Sequence, residues 1–368
     1  MTVEDAGRPD VVDVVAVDVS TDLPAADTAQ RDIPAPRDVA PDATPDVAPI
    51  DTPSADVVDV PEPDLGAPDV PEDIPEDVPA DTPTDVPEDA PADVPAMTEP
   101  DAGPPPILLA AGDIASCLSP GDDLTANLLD TLPGTIAALG DLAYQSGASW
   151  EFTLCYGPTW GRHRARTRPA VGNHEYESSG ARPYYDYFGA AAGPRGQGWY
   201  SYELGAWHIV VLNSNCGDVG GCGEGSPQER WLREDLAAHP ARCTAAYMHH
   251  PRFSSGRHGG SASMEPFWRT LYEGGVDIVL AGHDHHYERF APQDPSGRLD
   301  RARGIRQFLV GTGGIFFYPL ESTRPNSEAR NNDTWGVLEL TLHPDRYDWR
   351  FVRAGGGGFT ERGSDVCH

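Results

Sequence analysis

From residue 107 onward the chain alternates short apolar runs with polar loops that carry glycine. Ile107–Ala111 is uninterrupted apolar sequence, which predicts a strand buried on both faces, and Gly112-Asp113 follows it directly. Thr135–Leu139 repeats the pattern into Gly140-Asp141, and residues 207–213, 244–248, 276–281 and 308–310 read the same way. Helical spacing runs over residues 124–132, over Pro227–Ala238 with Ser226 as its cap, and over residues 264–272. Gly336–Leu342 and residues 347–352 alternate in character, and His343-Pro344-Asp345-Arg346 between them predicts a hairpin. Strands that alternate with helices and feed polar loops predict a layered α/β domain.

Residues 1–106 follow a different rule. They carry 28 Asp and Glu against 3 Arg, and 22 of the 37 prolines, with no Phe, Trp, Tyr or Cys. Their net charge is −25, and the remaining −7 of the total −32 belongs to residues 107–368. Without aromatic side chains such a segment buries too little apolar surface to offset the entropy of ordering, so it is expected to be a disordered acidic tail. From Pro71 to Pro95 a proline recurs every fourth residue, with Asp at 73, 77, 81, 85, 89 and 93. Proline and charge repulsion favour an extended chain, and at about 3.1 Å per residue roughly 100 residues reach at most about 300 Å. A stalk tethering an enzyme to the cell envelope fits this segment, with a leader of no particular task and a binding motif for an aromatic-lined groove as the alternatives. Its charge excludes nucleic acid as a partner of the tail. The expected organisation is therefore a linker or stalk, 1–106, and a catalytic domain, 107–368.

The chain has no lysine, and all 26 basic residues are Arg, which points to coding bias rather than chemistry. Six cysteines stand at 117, 155, 216, 222, 243 and 367, none in a C-x-x-C pair. Cys216 and Cys222 bracket a glycine-rich loop able to close as a small disulfide, while the other pairings stay open. An even set of this kind favours an oxidising compartment, so the protein is expected to be extracytoplasmic: at the cell surface, periplasmic or secreted. No secretory signal is visible in the first twenty residues, and no apolar run reaches transmembrane length.

Five segments carry the chemistry: Gly112-Asp113, Gly140-Asp141-Leu142-Ala143-Tyr144, Gly172-Asn173-His174-Glu175, Met248-His249-His250-Pro251 and Gly282-His283-Asp284-His285. Each sets oxygen or imidazole donors beside glycine or proline, the form a metal ligand takes where a strand ends and a tight loop turns into a cleft. Taken singly, a Gly-Asp pair is a turn; in series they predict a metal-dependent hydrolase. Their order and composition resemble the calcineurin-like metallophosphoesterase superfamily, and within it the purple acid phosphatases. The resemblance covers about residues 107–353. It implies a four-layer αββα sandwich of two mixed sheets, and nothing in residues 1–106 could fold as the β-sandwich that precedes this domain in the plant enzymes.

The resemblance also implies the ligand set. Asp141 would be the carboxylate shared by two metal ions, with Asp113, Tyr144 and His285 completing one site and Asn173, His249 and His283 the other. Most of the superfamily has a histidine two positions after the first Asp, where this chain has Ala115. Tyr144 would replace that donor with a phenolate, which suits Fe(III), with Fe(II), Zn or Mn in the other site. His174 would face the phosphate as a catalytic group, with Glu175 orienting it, and His258 would be a second substrate-facing histidine. In the purple acid phosphatases another histidine often follows the latter, and here that position is Gly259. His250 is expected behind His249, away from the metals. Arg252 and Arg257 are either holds for a second anionic group or surface charges. His163, His208, His239, His343 and His368 are read as structural, and Gly311-Thr312-Gly313-Gly314 as a turn, since it lacks the Lys-Ser/Thr of a P-loop.

The expected reaction is hydrolysis of phosphate monoesters at a binuclear centre with a metal-bound hydroxide as nucleophile. A phosphodiesterase or nucleotide hydrolase on the same core is the enzymatic alternative. A non-catalytic, surface-displayed binding protein is the alternative from another class.

Overall fold

The computed structural model describes residues 103–368, and the tail expectation for residues 1–102 lies outside them. Pro106 already belongs to the folded part, because its carbonyl accepts the Leu342 N–H at 3.0 Å. The strands are β1 (Ile107–Ala111), β2 (Thr135–Leu139), β3 (Thr167–Ala170), β4 (Tyr200–Leu204), β5 (Trp207–Val211), β6 (Cys243–Tyr247) and β7 (Ile278–Ala281). They continue with β8 (Tyr287–Phe290), β9 (Arg306–Val310), β10 (Ser327–Asn331), β11 (Gly336–Leu342), β12 (Arg346–Arg353) and β13 (Arg362–Val366). Two mixed sheets result: a six-stranded one in the order β13-β12-β11-β1-β2-β3 and a seven-stranded one in the order β10-β8-β9-β7-β6-β5-β4.

The apolar runs are continuous because both faces of the central strands are covered. Along β5, Ile209 and Val211 enter the core between the sheets, while Val210 and Leu212 point outward. The outward pair joins Leu232 of the helix Pro227–Ala238 and Phe267, Trp268 and Leu271 of the helix Glu265–Glu273. Ala246, Met248 and Val279 repeat this outward set on β6, just beyond its end, and on β7. Each fully buried aliphatic or aromatic side chain contributes about 1.5–3 kcal/mol. On the far side of the other sheet lie the helix Gly121–Leu129 and Trp160, whose indole N–H donates to Thr125 Oγ1 at 2.8 Å. The expected four-layer arrangement is the one observed.

Two helix ends differ from expectation for local reasons. The helix expected over 124–132 spans Gly121–Leu129, with Asp122 and Asp123 in a first turn that favours negative charge. Its end comes early because Pro133 keeps Leu132 out of helical geometry. The Ser226 cap is present, with its hydroxyl accepting the Glu229 N–H at 3.3 Å. All six cysteines are paired, as Cys117–Cys155, Cys216–Cys222 and Cys243–Cys367, the second being the small loop expected. The 311–314 segment is a turn against β1, where Gly313 N–H donates to Gly112 O at 2.9 Å.

Candidate metal centre

The loops leaving β1, β2, β3, β6 and β7 converge at one end of the sheets. Asp113, Asp141 and His283 sit there with φ of 60, 51 and 74°, a left-handed backbone rare outside glycine. Such strain costs about 1–3 kcal/mol per residue and persists where the surrounding structure over-determines it, often at functional sites. The neighbouring glycines explain the close approach. A Cβ on Gly172 would lie 2.1 Å from Asp141 Oδ1, and one on Gly282 would lie 2.6 Å from Asp113 Oδ2. Gly140, Gly172 and Gly282 therefore each leave room for a candidate ligand contributed by a different strand, whereas Gly112 makes room for Leu139.

Two donor groups share Asp141. In the first, Tyr144 Oη donates to Asp113 Oδ1 at 2.9 Å and lies 3.2 Å from both Asp141 Oδ2 and His285 Nε2. In the second, Asn173 Oδ1 lies 3.0 Å from His249 Nε2 and 3.0 Å from His283 Nδ1. His249 Nε2 is also 3.1 Å from Asp141 Oδ2, so that oxygen stands between the groups. All seven residues expected as ligands are thus brought together, five of them buried.

The donors fit metal ions. His249 Nδ1 lies 2.8 Å from Leu139 O and His285 Nδ1 lies 2.7 Å from Phe316 O. A carbonyl in that place keeps the proton on Nδ1 and leaves Nε2 as a lone pair facing the centre. Burial carries the His285 pKa down to about 4 and that of His283 to about 2, so both rings stay neutral. Burial also works against charge on His249, but the Asp141 carboxylate outweighs it and lifts His249 to about 9. Asp113 and Tyr144 are both raised, by burial first and by neighbouring carboxylate charge after it. A cation among these groups inverts that logic, stabilising carboxylate and phenolate together. Carboxylate, phenol, amide and imidazole in this proportion suit iron, zinc or manganese.

Among the expected substrate-facing residues, His174 is half-buried, its Nε2 3.8 Å from Asp141 Oδ2 and its ring centroid 4.5 Å from that of Tyr144. Glu175 does not orient it, which corrects the expectation. The carboxylate instead accepts the backbone N–H groups of Asp141 at 3.0 Å, Leu142 at 2.8 Å and Gly172 at 2.8 Å, tying the β2 and β3 loops together. His174 Nδ1 faces the Gln145 carbonyl. His258 is exposed, with its ring centroid 4.7 Å from that of His283. His250 turns away from the donors, its Nδ1 2.8 Å from Ser214 Oγ. Arg252 is partly buried, whereas Arg257 is exposed, its guanidinium over the Tyr318 ring at 5.5 Å.

Two residues at the centre escaped the sequence reading. Asp284, fully buried, accepts the His258 N–H at 2.9 Å and the Ser254 hydroxyl, fixing the loop that carries His258. Its place between His283 and His285 was the available signal. Tyr318 stacks on His285 at 3.9 Å and 13°, and no motif marked it.

The model of the family described as calcineurin-like phosphoesterase matches residues 104–287. A purple acid phosphatase of Glycine max is 29% identical over 224 residues, which cover 52% of this chain and 46% of that protein. A phosphoenolpyruvate phosphatase of Allium cepa is 30% identical over 185 residues, covering 42% of this chain and 36% of the other. The chain thus spans less than half the length of these curated relatives. The structure of a purple acid phosphatase from yellow lupin, Lupinus luteus, superposes with a TM-score of 0.59 at 18% identity, covering 72% of this chain and 54% of that one. Fold, family match and relatives agree: the chain belongs to the calcineurin-like phosphoesterases, with purple acid phosphatases among its relatives.

Proposed function

We propose that the protein hydrolyses small phosphate monoesters at a binuclear centre, in the manner of a purple acid phosphatase. Asp141 carries this reading, because its Oδ2 lies 3.2 Å from Tyr144 Oη and 3.1 Å from His249 Nε2, between two complete donor groups. Asp113, Tyr144 and His285 would hold one ion, Asn173, His249 and His283 the other, and Asp141 both. Bound metal would supply polarisation of phosphoryl oxygens and a water whose pKa is lowered toward neutrality. The chain's own groups set the rest. His174, outside both donor groups, binds a phosphoryl oxygen or gives a proton to the leaving oxygen, and His258 flanks the substrate beside His283. The onion relative, by its name a phosphatase of a small monoester, supports this substrate class.

The test is metal content and a visible spectrum on purified protein, with turnover of p-nitrophenyl phosphate and of its bis-ester. The expected result is two metals per chain with iron among them, a broad visible band, and preference for the monoester. Tyr144→Phe is expected to remove the band. Two colourless metals with monoester turnover would remove the Fe(III)–Tyr144 element alone. No metal and no turnover after reconstitution with iron, zinc and manganese would overturn the proposal in favour of a binding protein.

The acidic segment is proposed as a stalk outside the catalytic unit, and the three disulfides support an extracytoplasmic setting. A chain beginning at Pro104 is then expected to keep full specific activity; a tenfold loss would make the acidic segment part of the enzyme.

A further inference from the structure

A second set of metal-type donors lies at the other end of β5. His208 is the second residue of that strand, whereas the metal-centre loops sit beyond its last residues, where Ser214 meets His250. His208 Nε2 lies 2.8 Å from Asp235 Oδ2, and His239 Nδ1 lies 3.4 Å from Asp235 Oδ1. Ligand atoms of His208, Asp235 and His239 all fall within 4.8 Å of one another. A comparable group, Cys243, Asp277 and Cys367, is closed to metals by its disulfide.

We propose that His208, Asp235 and His239 form a structural zinc site, separate from the catalytic centre, that pins the β4–β5 hairpin to the end of the helix Pro227–Ala238. Two imidazoles and a carboxylate, with a water in the fourth position, are a donor set zinc accepts.

The surroundings are those of a built site. His208 and Asp235 are 1% and 7% exposed, so their donor atoms are already desolvated and held. His208 Nδ1 lies 2.7 Å from Glu203 Oε1, its cross-strand partner, which orients the ring and leaves Nε2 for the ion. Such a carboxylate–histidine pair behind a ligating nitrogen is the usual support of a zinc-bound imidazole. Asp235 is held in turn by the Ser201 hydroxyl, which donates to Oδ1 at 2.7 Å. Asp235 and His239 are four apart at the helix C-terminus, where the helix dipole is negative and favours a cation. Two carboxylates and that dipole therefore surround the place where the ion would sit. The His239 side chain is half-exposed, which supplies an access path and the freedom to close the last distance. The His208 and His239 rings lie parallel with centroids 4.8 Å apart, and His239 Nδ1, 2.9 Å from the Asp235 carbonyl, would leave that carbonyl to face the ion.

The experiment is equilibrium dialysis of the holoenzyme against zinc, with bound metal counted in the natural protein, His239→Ala and Asp235→Asn. Neither substitution touches the catalytic centre. The natural protein is expected to hold one zinc equivalent more than either variant, with unchanged p-nitrophenyl phosphate turnover in His239→Ala. Zinc at about 100 times its Kd is further expected to raise the Tm by roughly 5 °C in the natural protein but not in His239→Ala. Equal zinc content in all three proteins would overturn the site. So would metal and turnover falling together, since the ion would then belong to the catalytic centre. Because the count is read against the variants, it stands even if no phosphatase activity is found.

Discussion

An Asp141→Asn protein is expected to fold, to lose bound metal and to lose phosphate-ester turnover by on the order of 1000-fold or more. The substitution keeps the shape but removes the charge shared by both donor groups and can turn an amide N–H toward them. Folding survives for three local reasons. Asparagine tolerates the left-handed backbone at this position, where φ is 51°. Glu175 holds the loop through the backbone N–H of residue 141 and not through its side chain. The His174 N–H can still be received by an amide oxygen in the place of Oδ1, now 2.9 Å away. Circular dichroism, metal analysis and p-nitrophenyl phosphate kinetics on one preparation check the prediction. A folded variant that keeps its metals and turns over within tenfold of the natural protein would remove Asp141 from the shared position, and with it the observation on which the proposed function rests.

Why Asp141 could be singled out from sequence is a matter of local signals. Asp113, Asp141 and His283 all follow a glycine at the end of an apolar run, because a strand that ends at a crowded centre needs a residue without Cβ there. The signal is local, so it survives without knowledge of the partners. Glu175 shows the opposite case. Its side chain was read by proximity as a partner of His174, but it serves backbone N–H groups 32 to 34 residues earlier. Nothing in its neighbours announces that contact. Tyr318, far along the chain from the ring it stacks on, is hidden for the same reason.

The strands divide in the same way. β1, β2, β5, β6 and β7 were legible because burial on both faces leaves an unbroken apolar run. β3 reads Thr167-Arg168-Pro169-Ala170, and its proline is tolerated because the strand lies at the edge of the six-stranded sheet. β13 and β10 are edges too, and β13 alternates exposed with partly buried residues, so neither has the hydrophobicity that marks a strand. β8 is interior but charged, with Arg289 paired to Glu361 at 2.8 Å and Glu288 receiving the Ser255 N–H at 2.8 Å. Its polarity is satisfied by segments distant in sequence, which a local pattern does not contain.

Loss of the Cys243–Cys367 disulfide is expected to cost more stability than loss of either of the other two disulfides. Cys243 opens β6 in the seven-stranded sheet, and Cys367 directly follows β13 at the edge of the other. The bond therefore ties the two sheets together and closes a chain segment of 124 residues. In the chain-entropy picture that closure is worth about 5 kcal/mol, against roughly 4 for Cys117–Cys155 and roughly 2 for Cys216–Cys222, whose separations are 38 and 6. A loss of about 5 kcal/mol is a large share of the 5–15 kcal/mol typical of a folded domain. The double variant Cys243→Ala, Cys367→Ala should accordingly melt roughly 10 °C or more below the natural protein. Its turnover at 25 °C should persist, because the bond lies at the start of β6 and the proposed metal ligand His249 comes only after its end. Calorimetry on the three double variants would test the ranking, and an equal fall for the Cys216–Cys222 pair would show that something other than loop closure sets the effect. The same order bears on the setting of the protein. A domain that draws this much stability from one long-range disulfide is most stable where thiols stay oxidised, in keeping with the extracytoplasmic location proposed for it.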